Sequence, residues 1–226
     1  MALNTSKGNM YSFVTHTWNT IKGECYHDCS YCFMKRWGSQ NPIRFDEKEL
    51  KTNLGKGNFI FVGSSNDLFA ENIPEEWIVA TINHCNKYDN KYLFQSKNPA
   101  RIGQFNLPAN SVVCTTIETN RWYPEVMQNS PHPKDRINGI KSLNYPKYIN
   151  IEPIMEFDLE ELLDMINSCQ PEQVSIGANS GTAKLPEPSE KKILSLIEEL
   201  SIFSSVEKSN LKRLLCTKSK QVIQIV

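Results

Sequence analysis

The chain of 226 residues is long enough for one domain with a substantial core, or for two small ones. Its 25 basic and 25 acidic residues balance, so no overall field favours DNA, RNA or an anionic membrane as a partner. No apolar run of about 18 residues occurs, which predicts no transmembrane helix, and the start MALNTSKGNMYSF lacks a signal-peptide core. We therefore expect a cytoplasmic protein with no membrane partner, in a reducing compartment that disfavours disulfides.

Short apolar segments that are typical of buried strands recur along the chain. MYSFVTHTW is the first, and NFIFVGS, KYLFQSK, NSVVCTTIE, PKYINIEP and EQVSIGANSG follow. Helical patterns lie between them in IPEEWIVATINHCNKY, in DLEELLDMINSC with Asp158 as the expected cap, and in SEKKILSLIEELSIF with Ser189 as the expected cap. NSPHPKD reads as a connecting loop, and a last helix and an edge strand are expected within residues 207–226.

This alternation of strands and helices predicts an α/β fold with parallel strands joined by right-handed crossovers. Six such strands fit either an open doubly wound sheet or an incompletely closed barrel. No linker or repeat divides the sequence, which predicts one domain over residues 1–226.

Polar residues follow the predicted strands in GSSND, SKN, TIETNR, IEP and GANSG. In parallel α/β folds the ligand binds at the carboxyl ends of the strands. Glu118 and Glu152 lie within or just past apolar runs, where a charge is costly without a partner. These positions therefore predict one shared site.

The segment GECYHDCSYCF, residues 23–33, places Cys25, Cys29 and Cys32 in the spacing C-x3-C-x2-C after the first predicted strand. In a reducing compartment, such a cluster indicates metal binding or redox chemistry. A structural zinc site needs four ligands, and His27 is the candidate for the fourth. Three thiolates that leave one position open suit a [4Fe–4S] cluster whose fourth iron binds another group.

This motif, with Tyr31 before the third cysteine, resembles the signature of the radical S-adenosylmethionine superfamily. The resemblance implies that Cys25, Cys29 and Cys32 hold a [4Fe–4S] cluster and that the free iron binds S-adenosylmethionine. It implies reductive cleavage of that cofactor to a 5′-deoxyadenosyl radical, which abstracts hydrogen from a substrate. It also implies a partial (β/α)6 barrel, and an electron donor such as a flavodoxin or ferredoxin.

A closer resemblance runs through FIFVGSSNDLFAENIPEEWI, LFQSKNPARI, INIEPIM and VSIGANSG. These segments resemble strand ends of a phage-associated branch of the superfamily that is distantly akin to spore photoproduct lyase. Members of that branch typically have V-G-S-x-x-D-L-F, T-K-R-P-x-R, S-I-E-P-L and G-G-E-S-G. Here Ser96-Lys97-Asn98 replaces T-K-R, and Ala178-Asn179 replaces the G-E before Ser180. The resemblance therefore indicates the chemistry and leaves the substrate open.

Carried over position by position, the resemblance implies a set of cofactor contacts. Tyr31 is expected against the adenine, and Glu118 at the ribose hydroxyls, since a carboxylate can accept two hydrogen bonds from a diol. Lys97 is expected to contact the carboxylate of the cofactor or an anionic substrate. The methionine amino group is assigned to Gly63, Ser64, Ser65 and Asp67, and the floor and adenine wall to Glu152, Asn179 and Ser180.

The substrate predicted first is a nucleobase or a nucleic acid. Lys35-Arg36-Trp37 and Arg121-Trp122 could stack on a base or simply decorate a helix face. One alternative is a peptide- or protein-modifying radical enzyme of the activase type, although no further cysteine-rich segment accompanies the motif. The other is a non-catalytic iron–sulfur or zinc protein with His27 as the fourth ligand.

Overall fold

The structure, a computed structural model, describes residues 3–6 and 11–215. The strands are β1 (Asn4–Thr5), β2 (His16–Trp18), β3 (Ile21–Lys22), β4 (Arg44–Phe45), β5 (Phe59–Val62), β6 (Lys91–Gln95), β7 (Ser111–Thr116), β8 (Lys147–Ile151), β9 (Gln173–Gly177) and β10 (Ser205–Ser209). The helices are α1 (Glu75–Cys85), α2 (Pro99–Ile102), α3 (Pro124–Met127), α4 (Pro133–Lys141), α5 (Leu159–Asn167), α6 (Glu190–Phe203) and α7 (Lys212–Leu215), with 3₁₀ helices at Phe33–Trp37 and Glu47–Lys51. No helix in these two ranges has the length and apolar character needed to cross a membrane.

One mostly parallel sheet organises the described residues, in the order β1-β2-β5-β6-β7-β8-β9-β10. β1 is antiparallel to β2, and each later neighbour is parallel to the strand before it. Each parallel strand is added on the same side of its predecessor, so the order does not reverse as it does in a doubly wound sheet. No pairing between β1 and β10 closes the sheet within the described ranges. The α/β prediction is confirmed, and the topology is that of an incompletely closed barrel.

Side chains alternate between the two faces of the parallel strands, as the pleat requires. In β5, Ile60 joins the large core that packs under the helices, whereas Phe61 joins a smaller cluster on the opposite face. Toward the carboxyl ends this second face becomes polar, because Gln95, Thr116 and Asn150 line a cavity there. The sheet thus directs its inner face into a polar site.

Helices α1, α5 and α6 confirm the predicted helical segments. Ser189 caps α6 as predicted, since its side chain accepts a hydrogen bond from the Lys192 backbone N–H. Asp158 is the N-cap residue of α5, as predicted, but its carboxylate makes no capping hydrogen bond. The carboxylate instead accepts hydrogen bonds from Arg121 Nε and Nη2 at 2.8 and 2.6 Å, a charge-assisted, two-pronged contact.

Three boundaries differ from the prediction. Among the described residues 11–18 of MYSFVTHTW, only His16–Trp18 pairs as a strand, and Tyr11 and Phe13 stack on each other before it. NSPHPKD is only partly a loop, because α4 begins at Pro133, with His132 Nδ1 accepting from the Lys134 N–H. Near the end, β10 begins before the predicted range 207–226 and precedes α7, which lies where a last helix was expected. The edge strand expected after that helix would fall in residues 216–226, which lie outside the described part.

Candidate functional site

A cavity of about 750 Å³ opens at the carboxyl ends of the parallel strands, a size typical of small-molecule sites. The residues predicted from the sequence that lie on its wall are Cys25, Cys29, Tyr31, Cys32, Gly63, Ser64, Ser65, Asp67, Lys97, Glu152, Asn179 and Ser180. Glu118 is fully buried and lies beneath the wall that the described residues form. The structure thus brings the predicted residues to one place, while the role of each stays a prediction.

The three clustered cysteines are free thiols on the loop that follows β3. Cys29 is buried, with its Sγ 3.3 Å from Ser130 Oγ, whereas Cys25 and Cys32 are partly exposed. Burial, together with the Asp67 charge, raises the pKa of Cys25 to about 12, and burial also raises the pKa of Cys32.

The donor types of this loop bear on the two metal alternatives. Across residues 3–6 and 11–215, no three His, Cys, Asp or Glu side chains converge closely enough to hold one metal ion. Thiolates are the usual ligands of iron–sulfur clusters, whereas a structural zinc site needs four ligands around one centre. The three thiols on the cavity wall are donors that a [4Fe–4S] cluster can use, and the cluster stays a prediction.

His27 and Asp67 tie the cysteine loop to the end of β5. His27 Nε2 lies 2.8 Å from Asp67 Oδ2, and both side chains are buried. The same oxygen accepts from Ser96 Oγ at 3.0 Å and from the Lys97 N–H at 2.8 Å, and Oδ1 accepts from the Phe69 N–H at 2.9 Å. Although burial alone would raise the pKa of Asp67, the hydrogen bond and charge of His27 bring it below its usual value.

This buried pair bears on two predicted roles. His27, the alternative zinc ligand, turns Nε2 toward Asp67, so a metal could meet the ring only at Nδ1, which has no hydrogen-bond partner among the described residues. Asp67, predicted at the methionine amino group, already accepts hydrogen bonds on both oxygens. Its contacts therefore join the cysteine loop, through His27, to the end of β6, through Ser96 and Lys97.

A second segment, residues 123–130, holds the cysteine loop from another side. The Ser30 N–H donates to Val126 O at 2.9 Å, and the Asn129 N–H donates to His27 O at 3.2 Å. Asn129 Nδ2 also donates to Tyr26 O at 2.9 Å. The loop is therefore fixed through its backbone as well as through His27.

The turn after β5 is built on a glycine and on one asparagine that the sequence did not reveal. Gly63 has φ +79°, a conformation that L side chains rarely adopt, and its N–H donates to Trp18 O at 2.9 Å. Asn19 Oδ1 accepts from the Ser65 N–H at 2.9 Å and from Ser64 Oγ at 3.2 Å. Asn19 belongs to no motif, and its position directly after β2 is the signal that could have indicated it.

Lys97, Tyr31, Glu118 and Arg136 form a connected network at one side of the cavity. Lys97 Nζ donates to Glu118 Oε1 and to the Tyr31 hydroxyl, each at 2.6 Å, and the Tyr31 O–H donates to the same glutamate oxygen. Glu118 Oε2 accepts from Arg136 Nη1 at 2.8 Å, and both of these side chains are fully buried. Although burial raises the pKa of Glu118, the Arg136 and Lys97 charges lower it to about 2.

Glu118 therefore has protein donors on both oxygens, and its contact with the ribose stays a prediction. Arg136, like Asn19, is a residue near the cavity that sequence reasoning missed. It occupies the buried side of α4 with Pro133, Ile137 and Ile140, and this helical spacing is the signal that could have identified it.

Glu152 brings the ends of β8, β9 and β10 together. Its Oε2 accepts from Ser209 Oγ, and its carboxylate lies against Gly177, where a Cβ would clash with it and lie 2.5 Å from the serine oxygen. Burial raises the pKa of Glu152, and the Ser209 hydrogen bond opposes this effect. Gly177 thus makes room for a carboxyl group on the cavity floor.

The loop after β9 uses its asparagine internally. Asn179 Oδ1 accepts from the Gly181 N–H at 2.9 Å, and its Nδ2 donates to Ala183 O at 2.7 Å. Ser180 is exposed on the cavity wall. Asn179 therefore shapes the loop, while Ser180 is open to a ligand.

Four exposed aromatic residues lie in or near the two segments that contact each other, and two of them, Tyr26 and Phe33, line the cavity. Tyr26, Phe33 and Trp37 lie in or next to the cysteine loop, and Trp122 lies just before α3. Trp37 is 61% exposed, with the Arg36 guanidinium 5.5 Å from its ring centre, and its ring packs edge-on to Phe33 at 5.8 Å. We call these four aromatic residues the aromatic rim.

The basic residues predicted to accompany these rings are partly neutralised. Lys35 Nζ lies 2.7 Å from Asp28 Oδ1, and Arg121 pairs with Asp158. Trp122 stacks on the His132 ring, with 5.2 Å between the ring centres. The rim is therefore mainly aromatic in character.

Comparisons with solved structures identify similar folds. Two variants of spore photoproduct lyase each match with a TM-score of 0.64 and 10% identity; one match covers 90% of this chain and 78% of that one, and the other covers 92% and 82%. SuiB of Streptococcus suis, bound to S-adenosylmethionine, matches with a TM-score of 0.56 and 10% identity over 86% of this chain and 50% of SuiB. No protein-family model and no curated protein matches the sequence.

At such low identity these similarities concern the fold. They extend over 86–92% of this chain in the three matches, which takes in most of the parallel sheet. The chain therefore has an α/β fold of the radical S-adenosylmethionine type, with a mostly parallel sheet that the described strands do not close.

Proposed function

We propose that this protein is a radical S-adenosylmethionine enzyme. The observation that carries the proposal is the meeting of three free thiols in C-x3-C-x2-C spacing with the predicted cofactor residues around one cavity. The fold supports it, since one similar structure, SuiB, is bound to S-adenosylmethionine. In this proposal a [4Fe–4S] cluster, when bound, supplies the electron that cleaves the cofactor to a 5′-deoxyadenosyl radical for hydrogen abstraction from a substrate.

The side chains on the wall have separate tasks in this proposal. Cys25, Cys29 and Cys32 hold the cluster. Lys97 offers an ammonium to the cofactor carboxylate, and Ser180 and Glu152 contribute polar groups from the opposite strand ends. The same proposal includes three further expectations, supported by the motifs quoted above. They are membership of the phage-associated branch, a single domain over residues 1–226, and an electron donor such as a flavodoxin or ferredoxin.

A nucleobase within a nucleic acid is the proposed substrate class. The aromatic rim supports it, because bases stack on exposed aromatic rings with little dependence on sequence. Tyr26 and Phe33 also line the cavity, so the rim and the site are continuous. A base stacked on the rim would lie beside the wall that carries the thiols.

The radical chemistry is tested by anaerobic reconstitution with iron and sulfide, reduction, and an assay for 5′-deoxyadenosine. We expect product from the wild type, none from Cys29→Ala, and product from Cys85→Ala, a matched control that removes a buried thiol outside the loop. A wild type that takes up a full cluster, binds no S-adenosylmethionine and forms no product would overturn the proposal.

The substrate class is tested by fluorescence anisotropy with a labelled single-stranded oligonucleotide. Losing one stacked base costs about 1–3 kcal/mol, so Trp37→Ala should weaken binding about five- to 150-fold. Ile202→Ala is the control, because this 75% exposed residue lies on α6 and does not line the cavity. Equal affinity in all three proteins would contradict base stacking and turn the search to peptide substrates.

A further inference from the structure

Arg136 is a fully buried arginine whose contacts are all made inside the protein. Its Nε donates to Pro131 O at 2.7 Å, and its Nη1 donates to Thr116 O at 3.0 Å and to Glu118 Oε2 at 2.8 Å. Nη2 has no hydrogen-bond partner within the described part of the chain. A buried charge is costly unless it is paired, so the ion pair with Glu118 offsets the cost of burying Arg136.

The charges of this network do not cancel. Arg136 and Lys97 are cationic, whereas Glu118 is the anion between them, with one oxygen for each. Arg136 and Glu118 have no exposed side-chain surface, while Lys97 is 15% exposed and lies on the cavity wall. The surplus positive charge of the network therefore reaches the cavity at the Lys97 ammonium.

We propose that Arg136 is a positioning residue that keeps Lys97 available to a ligand carboxylate. By occupying one oxygen of Glu118, Arg136 takes up the charge that would otherwise neutralise Lys97. Glu118 then fixes the ammonium in place through its second oxygen, without contacting the ligand itself. The inference rests on the proposed function in taking the carboxylate of S-adenosylmethionine as the ligand group.

The charge arrangement without Arg136 explains how this arginine would affect ligand binding. Without Arg136, Glu118 and Lys97 would be a simple neutral pair, and an incoming carboxylate would face the full charge of Glu118. Like charges at such short distances disfavour each other strongly. Removal of Glu118 as well would abolish this repulsion and restore one net positive charge.

Variants that change this charge stepwise provide the test. Arg136→Met removes the surplus charge, Glu118→Gln increases it, and the double variant Arg136→Met/Glu118→Gln restores the wild-type value. Each reconstituted, unreduced protein is titrated with S-adenosylmethionine and with decarboxylated S-adenosylmethionine, which lacks only the carboxylate. The dissociation constant of decarboxylated S-adenosylmethionine divided by that of S-adenosylmethionine is the ratio of interest. It isolates the carboxylate from all other contacts.

We expect Arg136→Met to lower this ratio about tenfold, the scale of one charge-assisted hydrogen bond, and Lys97→Met to lower it similarly. The double variant should return to within about threefold of the wild type. A purely structural arginine would leave the double variant as impaired as Arg136→Met, and that outcome would overturn the inference. Folding of each variant is checked by circular dichroism, and the double variant, which leaves no buried charge unpaired, keeps the test valid if Arg136→Met is unstable.

Acetate separates this inference from the proposed function. The Nζ-linked NMR signals of Lys97 are followed during titration with acetate in the protein without cofactor. A response in the wild type and the double variant, but not in Arg136→Met, supports the inference even if S-adenosylmethionine does not bind. No response in any protein, together with an unchanged ratio of dissociation constants, refutes it.

Discussion

Asp67 is the carboxylate whose removal should most disturb the candidate site. Alanine at this position deprives four buried or partly buried donors of their acceptor: His27 Nε2, Ser96 Oγ, the Lys97 N–H and the Phe69 N–H. Each unsatisfied buried donor costs about 1–3 kcal/mol, but backbone donors near a cavity can turn to water. We therefore expect a loss nearer the cost of a broken buried pair, about 4 kcal/mol in the free energy of unfolding.

The contribution of His27 can be separated by a double-mutant cycle. His27→Ala removes one of the four donors, so it should cost less than Asp67→Ala, and the coupling energy of the pair should be about 1.5–3 kcal/mol. Urea unfolding at pH 7 under reducing conditions, followed by circular dichroism, gives these values. Ser96→Ala is the matched control, since it removes one neutral donor from the same oxygen and should cost about 1 kcal/mol.

The same pair sets a pH dependence with a defined sign. The pKa of Asp67 is lower in the folded protein than its usual value of 3.8, so its stabilising effect is present above that value and is lost as the pH falls through the folded pKa. The stability difference between wild type and Asp67→Ala should therefore shrink in acid. A coupling energy near zero, or a difference that stays constant down to the acid unfolding transition, would refute this account of the loop.

Three further predictions concern residues around the site. Gly139→Ala should lower the free energy of unfolding by about 2 kcal/mol, because the new Cβ would lie 2.6 Å from the Ala100 backbone N. Gly103→Ala is the control, since the atom nearest to its new Cβ is 3.3 Å away. Urea unfolding should show little change for this control. Gly177→Ala should push the Glu152 carboxyl into the cavity, so calorimetry should show weakened S-adenosylmethionine binding while stability falls by only about 1 kcal/mol. The pKa of Glu118 is lowered from 4.5 to about 2, so at pH 7 the free energy of unfolding of the wild type should exceed that of Glu118→Gln by about 3 kcal/mol. This difference should disappear as the pH falls from 4.5 to 2. Unfolding curves that keep it at pH 2 would contradict this account of Glu118.

Strands were predictable where both faces are buried, and harder to predict where they are not. Few structures other than a strand covered on both faces could bury the apolar runs of β5 to β9. β10 has the sequence SVEKS and is mostly exposed, as suits an edge strand that carries charge. Its pairing with β9 depends on the neighbouring strand and has no strong local signal.

The residues of the candidate site also differ in how far the local sequence could predict them. Cysteine spacing is a local property, so the thiols could be identified from the sequence. Glu118 was correctly recognised as a charge that needs a partner, but the partner, Arg136, lies on a helix that the sequence assigned partly to a loop. A contact between such distant segments follows from the fold and not from either segment alone.

The three carboxylates predicted at the cavity differ in what they can still accept. Asp67 accepts from four protein donors and Glu118 from three, so desolvation has already been compensated within the protein. Glu152 lies on the wall and accepts from Ser209 through Oε2, and its other oxygen receives no hydrogen bond from the residues that the structure describes. Since a carboxylate binds hydroxyls through free lone pairs, we expect Glu152 to have more capacity for a ligand hydroxyl than Asp67 or Glu118.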